Sequence, residues 1–192
     1  MSRINLKEIS TRAGKDFDKQ DTKEKTAKIV DELNDLQNLL FAQNQHSVLV
    51  VIQGMDASGK DGVIRNVFTS MNPQGVTVKS FKAPTVEELS HDFLWRIHAY
   101  APAKGMVQIF NRSHYEDILI TRVHKWCDDE NAHKRMKDIN NWEELLAKQN
   151  NTVILKFYLH VFPEEQKGKL QRLALSEDTE PTAERRKAVH CL

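Results

Sequence analysis

Short apolar runs alternate along this chain with longer segments in which apolar residues recur every three or four positions. Residues 47–52 form a continuous, β-branched run, which is too short for a helix and is typical of a strand buried on both faces of a parallel sheet. Further strands are predicted at 76–81, 106–110 and 152–159. Helices are predicted around these strands, at 21–42, 61–70, 85–100, 115–125 and 131–148 and from Pro163 onward.

This alternation predicts the fold class. Strands that alternate with helices form right-handed βαβ units, so we expect an α/β fold with a parallel sheet and helices on both of its faces. The organisation expected is a polar arm at 1–20, one domain at 21–169 and a divergent, poorly ordered polar tail at 170–192. In the first helix Asp21 is the predicted N-cap, and an apolar stripe serves either the core or a partner. That stripe consists of Ile29, Leu33, Leu36, Leu39 and Leu40.

Length and charge narrow the function classes. With 192 residues the chain suits a single domain, and Lys plus Arg number 28 against 27 for Asp plus Glu. The net charge of +1 gives no global cationic excess that would predict a nucleic-acid partner. No apolar run approaches the roughly 20 residues that cross a bilayer, and the N-terminus lacks the apolar stretch of a signal peptide. Cys127 and Cys191 make neither a disulfide framework nor a metal-ligand set, so we expect a soluble, cytoplasmic protein without a membrane partner.

The strongest local signal is the segment GMDASGKDG at 54–62, between the first strand and the following helix. This order is the context of a phosphate-binding loop, whose backbone N–H groups surround an anion at a helix N-terminus. Lys60 is placed to reach terminal phosphates, and Asp61 stands where Ser or Thr normally binds Mg²⁺, so Asp56 is the candidate metal ligand. A glycine-rich turn with a solvated lysine is the alternative. The predicted phosphate-binding residues are Gly54, Ala57, Ser58, Gly59, Lys60, Asp61 and Gly62.

A second group of candidate residues follows the third predicted strand, in the segment FNRSHYED at 110–117. Ligands of open α/β sheets bind beyond the carboxyl ends of the strands, where Arg112 could grip a phosphoryl group and Asp117 could orient Mg²⁺. The simpler interpretation is a helix N-terminus whose acidic residues, Glu116 among them, complement the helix dipole. His114 is more typical of packing or capping than of a catalytic base.

Three further cations are candidates for phosphate contacts. Lys82 ends the second predicted strand and is expected to face the same crevice, while Arg96 and Arg122 lie on predicted helices. Together with Lys60 and Arg112 they could line a basic channel for a polyanion. Single cations on helices are usually solvated, so this set alone is a weak signal.

These segments together give the chain a resemblance to the polyphosphate kinase type 2 family. The resemblance covers about residues 39–169. The matching stretches are GMDASGKDG (54–62), NPQGVTVKSFKAPT (72–85), ELSHDFLWR (88–96), FNRSHYEDILITRVH (110–124) and TVILKFYLHVFPEEQK (152–167).

The resemblance implies a P-loop kinase fold akin to thymidylate kinases. It also implies transfer of phosphoryl groups between inorganic polyphosphate and a nucleoside mono- or diphosphate, with Mg²⁺ as cofactor. Asp56 and Asp117 would organise Mg²⁺, and Lys60 and Arg112 would stabilise the migrating phosphoryl group. Because the family commonly assembles as dimers or larger oligomers, a homo-oligomer is expected. Further phosphate contacts would come from Lys82, Arg96 and Arg122.

The chain departs from the family's pattern after the fourth strand. The match fades beyond Lys167, and the family's basic, lid-forming segment and its last strand have no recognisable counterpart. Two alternatives to a polyphosphate kinase therefore stay open: a nucleoside monophosphate kinase that uses ATP, and a catalytically impaired, lidless remnant that binds polyphosphate or nucleotide. Asp61 and the additional cations favour a polyanion longer than ATP.

Overall fold

A four-stranded parallel sheet forms the centre of the protein in the computed structural model, which describes residues 4–14, 16–123 and 128–175. The strand order is β2-β3-β1-β4. The strands lie close to their predicted positions, and the predicted parallel α/β fold is confirmed. They are β1 (Ser47–Gly54), β2 (Val76–Ser80), β3 (Val107–Asn111) and β4 (Thr152–Leu159).

Helices precede, connect and follow the strands. None among the described residues combines the length and apolar character needed to span a membrane. A short 3-10 turn at Leu6–Glu8 comes before the first helix. The α-helices are α1 (Lys19–Gln43), α2 (Lys60–Phe68), α3 (Val86–Ser90), α4 (Trp95–His98), α5 (Glu116–Val123), α6 (Asp129–Gln149) and α7 (Pro163–Leu175).

The hydrophobic core lies on both faces of the sheet. On one face Leu49 packs with Trp142 of α6 and Ile97 of α4. On the other face Val50 and Ile109 pack against apolar side chains of α1 and α2. Successive residues of a strand point to opposite faces, so the continuous apolar run of β1 supplies both clusters. Helices therefore cover both faces, as predicted.

The first helix begins earlier than predicted. Asp18 is its N-cap, because the Asp18 side chain accepts hydrogen bonds from the backbone N–H groups of Gln20 (2.7 Å) and Asp21 (2.9 Å). The prediction of Asp21 as the cap is wrong. Both aspartates satisfy the residue preference for an N-cap, and only the first has an extended backbone that lets its carboxylate reach the free N–H groups.

The single helix predicted at 85–100 is also wrong, since the structure divides it into α3 and α4. Thr85 and Glu88 form a capping box that starts α3, and the helix ends at Ser90, because the backbone of the next residue, His91, is extended. Asp92 then accepts a hydrogen bond from the backbone N–H of Leu94 (3.0 Å). A side chain that bonds to the nearby backbone in this way competes with helix continuation.

The apolar stripe of α1 contributes little to the core. Leu40 packs against the sheet, and Gln37 is buried beside it. Ile29, Leu36 and Leu39 are 60%, 61% and 52% exposed, respectively. The described part of the chain thus leaves three of the five residues of the predicted stripe in contact with solvent.

Several sequence predictions concern residues outside the described part of the chain. Cys127, Cys191 and the segment 176–192 all lie there. α7 continues to Leu175, six residues into the segment predicted as a tail, and the prediction for the remaining residues stays a prediction.

Candidate active site

A cleft of about 810 Å³ opens at the carboxyl edge of the sheet, where β1, β2 and β3 end. Its walls come from the loop after β1, the start of α2, the ends of β2 and β3, and one side of α7. Cationic side chains outnumber acidic ones in its lining, so the cleft is electropositive and suits an anion. The charged residues that line it are Lys60, Lys82, Arg112, Lys169, Arg172, Asp56 and Asp61.

The predicted phosphate-binding loop forms one wall of the cleft, and its backbone requires glycine at two points. Gly59, immediately before α2, has a φ of +97°, which residues with a side chain rarely adopt. A Cβ on Gly54 would lie 2.9 Å from the carbonyl oxygen of Leu159 and closer still to the Ser58 hydroxyl. Ala57 is also left-handed, at φ +58°, a conformation that costs about 1–2 kcal/mol. The loop is therefore held in a defined curve at the N-terminus of α2.

Lys60 is directed back into this loop. Its Nζ donates hydrogen bonds to the carbonyl oxygens of Gly54 (2.8 Å) and Met55 (2.9 Å), and the residue is only 8% exposed. Burial lowers the pKa of Lys60, and the positive charge of Arg112 adds to this effect. The loop thus holds a cation close to its backbone N–H groups, which is the arrangement that a phosphate group requires.

Arg112 brings the second predicted segment into the same cleft. Its Nη2 donates to Asp56 Oδ1 (2.5 Å), and its backbone is left-handed at φ +63°. The backbone N–H of Arg112 donates to the carbonyl of Ile52, which ties the end of β3 to β1. Glu116 lies close by: burial raises the pKa of its carboxyl, and the charges of Arg112 and Lys60 oppose that change. The structure therefore brings Asp56, Lys60 and Arg112 together, as the sequence predicted.

A buried polar network supports the Arg112 segment from behind. Glu143 of α6 accepts hydrogen bonds from Tyr115 Oη (2.9 Å) and Lys156 Nζ (2.6 Å), and His114 Nε2 lies 3.2 Å from its Oε1. Burial opposes ionisation of Glu143, but the bonds from His114, Lys156 and Tyr115 outweigh it and lower the pKa of this carboxyl to about 2. The network joins the segment between Arg112 and α5 to α6 and β4.

Ser58 and two carboxylates provide oxygen atoms inside the cleft that can ligate a metal ion. Ser58 Oγ is buried and has no hydrogen-bond partner among the described residues, which is uncommon for a buried hydroxyl. Asp56 is half-exposed, and Asp61 accepts a hydrogen bond from Asn111 Nδ2 (2.6 Å). Hard oxygen donors of this kind fit Mg²⁺, which typically takes one or two carboxylates together with substrate phosphates and water. In the described ranges, no cluster of three or more acidic, histidine or cysteine side chains suits a metal.

Asp117, the other predicted metal ligand, lies deeper than the cleft. Its carboxylate accepts a hydrogen bond from Arg96 Nη2 (3.2 Å), and its backbone carbonyl accepts one from Arg135 (2.7 Å). Burial raises the pKa of Asp117, and the charge of Arg96 opposes the change. Neither Asp117 nor Arg96 is among the residues that line the cleft.

The other predicted phosphate contacts have separate positions. Lys82 lines the cleft, and its backbone carbonyl accepts a hydrogen bond from Arg96 Nη1 (2.9 Å). Arg122, at the far end of α5, pairs instead with Asp129 at the start of α6 (2.5 Å). Of this predicted trio, only Lys82 lines the cleft.

Two cleft cations were missed by the sequence analysis, Lys169 and Arg172 of α7. Gln166, one turn earlier, donates from Nε2 to the backbone carbonyl of Asp56 (2.9 Å), which docks α7 on the phosphate-binding loop. A usable signal was present, because cations three residues apart lie side by side on a helix. The resemblance to the family fades at these positions, so the predicted phosphate contacts did not include them.

Comparison with known proteins identifies the family to which the chain is similar. Residues 16–179 match the family model described as Polyphosphate kinase 2. An AMP/ADP-polyphosphate phosphotransferase of Meiothermus ruber is 50% identical over 153 residues, covering 80% of this chain and 57% of the relative. An ADP-polyphosphate phosphotransferase of Rhodopseudomonas palustris is 47% identical over 150 residues, covering 72% of this chain and 52% of the relative. The chain thus spans about half the length of these relatives.

A solved structure shows the same fold. The crystal structure of a polyphosphate kinase 2 from Arthrobacter aurescens matches 92% of this chain and 64% of its own, with a TM-score of 0.87 and 40% sequence identity. The likeness to this structure and the match over most of the sequence agree on one ancestry and on a P-loop kinase fold. The chain belongs to the polyphosphate kinase 2 family.

Proposed function

We propose that the chain transfers phosphoryl groups between inorganic polyphosphate and a nucleoside mono- or diphosphate, with Mg²⁺ as cofactor. The observation that carries this proposal is the cleft, in which five cations surround a phosphate-binding loop at the carboxyl edge of the sheet. A nucleotide phosphate is small compared with a cleft that five cations line, whereas a linear polyanion can contact cations along its length. The names of the two relatives, which act on polyphosphate and on AMP or ADP, support the same substrates.

The residues of the cleft have distinct roles in this proposal. Lys60 and Arg112 neutralise charge on the transferred phosphoryl group while a nucleotide oxygen attacks it in line. Asp56 would bind Mg²⁺ at the exposed end of the loop, and Asp117 is proposed to act on the same ion or on a water molecule bound to it. When bound, Mg²⁺ would reduce the negative charge that the two substrates bring together. Further positions along the polyphosphate would be bound by Lys82, Lys169 and Arg172.

The test is nucleotide phosphorylation from polyphosphate with Mg²⁺, using AMP and ADP as acceptors. We expect Lys60→Ala to lower kcat by about 10²-fold or more, because it removes the cation nearest the reacting phosphate. Lys134→Ala is the matched control, since Lys134 is 65% exposed on α6 and should leave kcat unchanged. Equal rates for the two variants would overturn the assignment of Lys60.

Two arms of the same experiment separate the rival functions. Turnover with ATP and a nucleoside monophosphate, but none with polyphosphate, would identify an ATP-dependent kinase. Salt-dependent binding of polyphosphate without turnover by the wild type would identify a remnant that binds but does not react.

We also propose a homo-oligomer. The exposed part of the α1 stripe, Ile29, Leu36 and Leu39, supports this, because an aligned set of large apolar side chains in solvent is typical of an interface. Light scattering after size-exclusion chromatography tests it, and a mass of 22.2 kDa at micromolar concentration would refute it. A cytoplasmic location is proposed from the nucleotide substrates and is tested by cell fractionation.

A further inference from the structure

Arg96 has an environment that differs from those of the cleft cations. The residue is only 6% exposed, and its guanidinium carbon lies 5.6 Å from the centroid of the Phe81 ring. Its Nη1 donates to the backbone carbonyl of Lys82 (2.9 Å), and its Nη2 donates to Asp117 Oδ2 (3.2 Å). A carboxylate oxygen of Glu88 lies 3.5 Å from Nη1. Both terminal nitrogens of the guanidinium therefore have oxygen partners within the protein.

These partners belong to the segments that follow two different strands of the sheet. Lys82 follows β2, and its side chain lines the cleft. Asp117 lies in the first turn of α5, five residues after Arg112, and Arg135 of α6 fixes its backbone carbonyl. A single side chain thus joins the segment that follows β2 to the segment that follows β3.

We infer that Arg96 is a positioning residue, which sets the distance between Lys82 and the Arg112 segment and does not itself contact phosphate. A phosphate contact would require the guanidinium to leave Asp117, a buried carboxylate that would then lack its cationic partner. The guanidinium is planar and has donors on two edges, so it can bond to both segments at the same time. The ammonium group of a lysine cannot reproduce this geometry. This inference rests on the proposed function, because it assigns the residue a part in the binding of the same polyphosphate.

The experiment compares Arg96→Met with Lys82→Met in two measurements: polyphosphate binding as a function of salt, and kcat with polyphosphate and ADP. Loss of one phosphate contact reduces the slope of log K against log salt concentration by about one. We expect that change for Lys82→Met. Arg96→Met should keep the wild-type slope and lower kcat by about 10-fold to 100-fold at a temperature where it is fully folded, because the reacting groups are displaced. Arg96→Lys should not restore kcat, since one ammonium cannot serve both partners.

A reduction of the Arg96→Met slope by about one would overturn the inference, and so would a wild-type kcat in that variant. Lys134→Met, which replaces an exposed lysine of α6, is the control for loss of a positive charge as such. If the wild type binds polyphosphate but shows no turnover, the proposed function fails, while the binding slopes still decide whether Arg96 contacts phosphate.

A double-mutant cycle measured by thermal unfolding tests the pairing of Arg96 with Asp117 without any substrate. Arg96→Met removes the cation that is hydrogen-bonded to the buried Asp117 carboxylate, so adding Asp117→Asn should raise Tm in the Arg96→Met background and lower it in the wild type. Equal shifts of Tm in both backgrounds would show that the two residues are not coupled and would overturn the inference. If Arg96→Met does not fold, the double variant, which removes both buried charges, replaces it in the salt titration.

Discussion

Replacing Glu143 with Gln tests how strongly the polar network behind Arg112 holds the fold together. The carboxyl of Glu143 is 7% exposed and receives hydrogen bonds from Tyr115 and Lys156. Burial opposes its ionisation, yet the surrounding donors lower its pKa from the ordinary 4.5 to about 2. Glu143→Gln keeps the shape of the side chain and removes the charge to which those donors respond.

The sign and size of the effect follow from this pKa. Folding favours the ionised form, so the stabilisation is fully present above about pH 5 and is lost as the pH falls towards 2. A decrease from 4.5 to about 2 corresponds to about 3 kcal/mol of unfolding free energy at pH 7, and to roughly half of that at pH 3. We therefore expect Glu143→Gln to cost about 3 kcal/mol at pH 7 and markedly less at pH 3.

Urea unfolding of wild type and variant at pH 7, 5, 4 and 3 measures this difference. The neighbouring Glu144 is the matched control, because it is 56% exposed and pairs with Lys148 along the helix surface. Glu144→Gln should have little effect at any of these pH values. A cost for Glu143→Gln that stays constant between pH 7 and pH 3, or that is below about 1 kcal/mol at pH 7, would refute the reasoning.

Two glycines give further predictions. Gly54→Ala should abolish polyphosphate binding in the salt titration, because its Cβ would meet the backbone carbonyl of Leu159 at 2.9 Å and force the phosphate-binding loop to move; wild-type affinity would contradict this. Gly75→Ala should lower the unfolding free energy by about 1–3 kcal/mol without affecting the cleft, since its Cβ would lie 1.9 Å from Nε2 of the buried Gln37. Urea unfolding checks the second prediction, and an unchanged midpoint would show that Gln37 moves aside at no cost.

The sheet and the position of the loop between β1 and α2 could be predicted from sequence because their signals are local, whereas the binding of phosphate by that loop stays a prediction. The apolar run of β1, the glycines after it and Lys60 occur within 14 consecutive residues, 47–60, and each has a physical reason for its place. The same holds for Arg112, which follows β3 directly and must therefore reach the carboxyl edge of the sheet. Where strand, loop and helix are contiguous, sequence order fixes spatial order.

Pairings between distant segments could not be predicted in this way. Arg96 and Asp117 are 21 residues apart, and nothing in the pattern around either residue shows that they meet. The break between α3 and α4 could not be predicted for a related reason. Apolar periodicity contains no information about the hydrogen bond between the Asp92 side chain and the backbone of Leu94. The position of Lys169 in the cleft could not be predicted either, since it depends on the docking of α7 on the distant loop.

The hydrogen bonds of Lys60 have a consequence for the release of ligands. Two of the three N–H donors of its ammonium bond to the carbonyl oxygens of Gly54 and Met55, which leaves one donor for a phosphate oxygen. If the proposed function holds, any further bond from Lys60 to phosphate would replace a bond to the loop, and only the difference between the two would contribute to affinity. The lysine would regain its carbonyl partners when a product leaves, so this arrangement would favour release of the product over its retention.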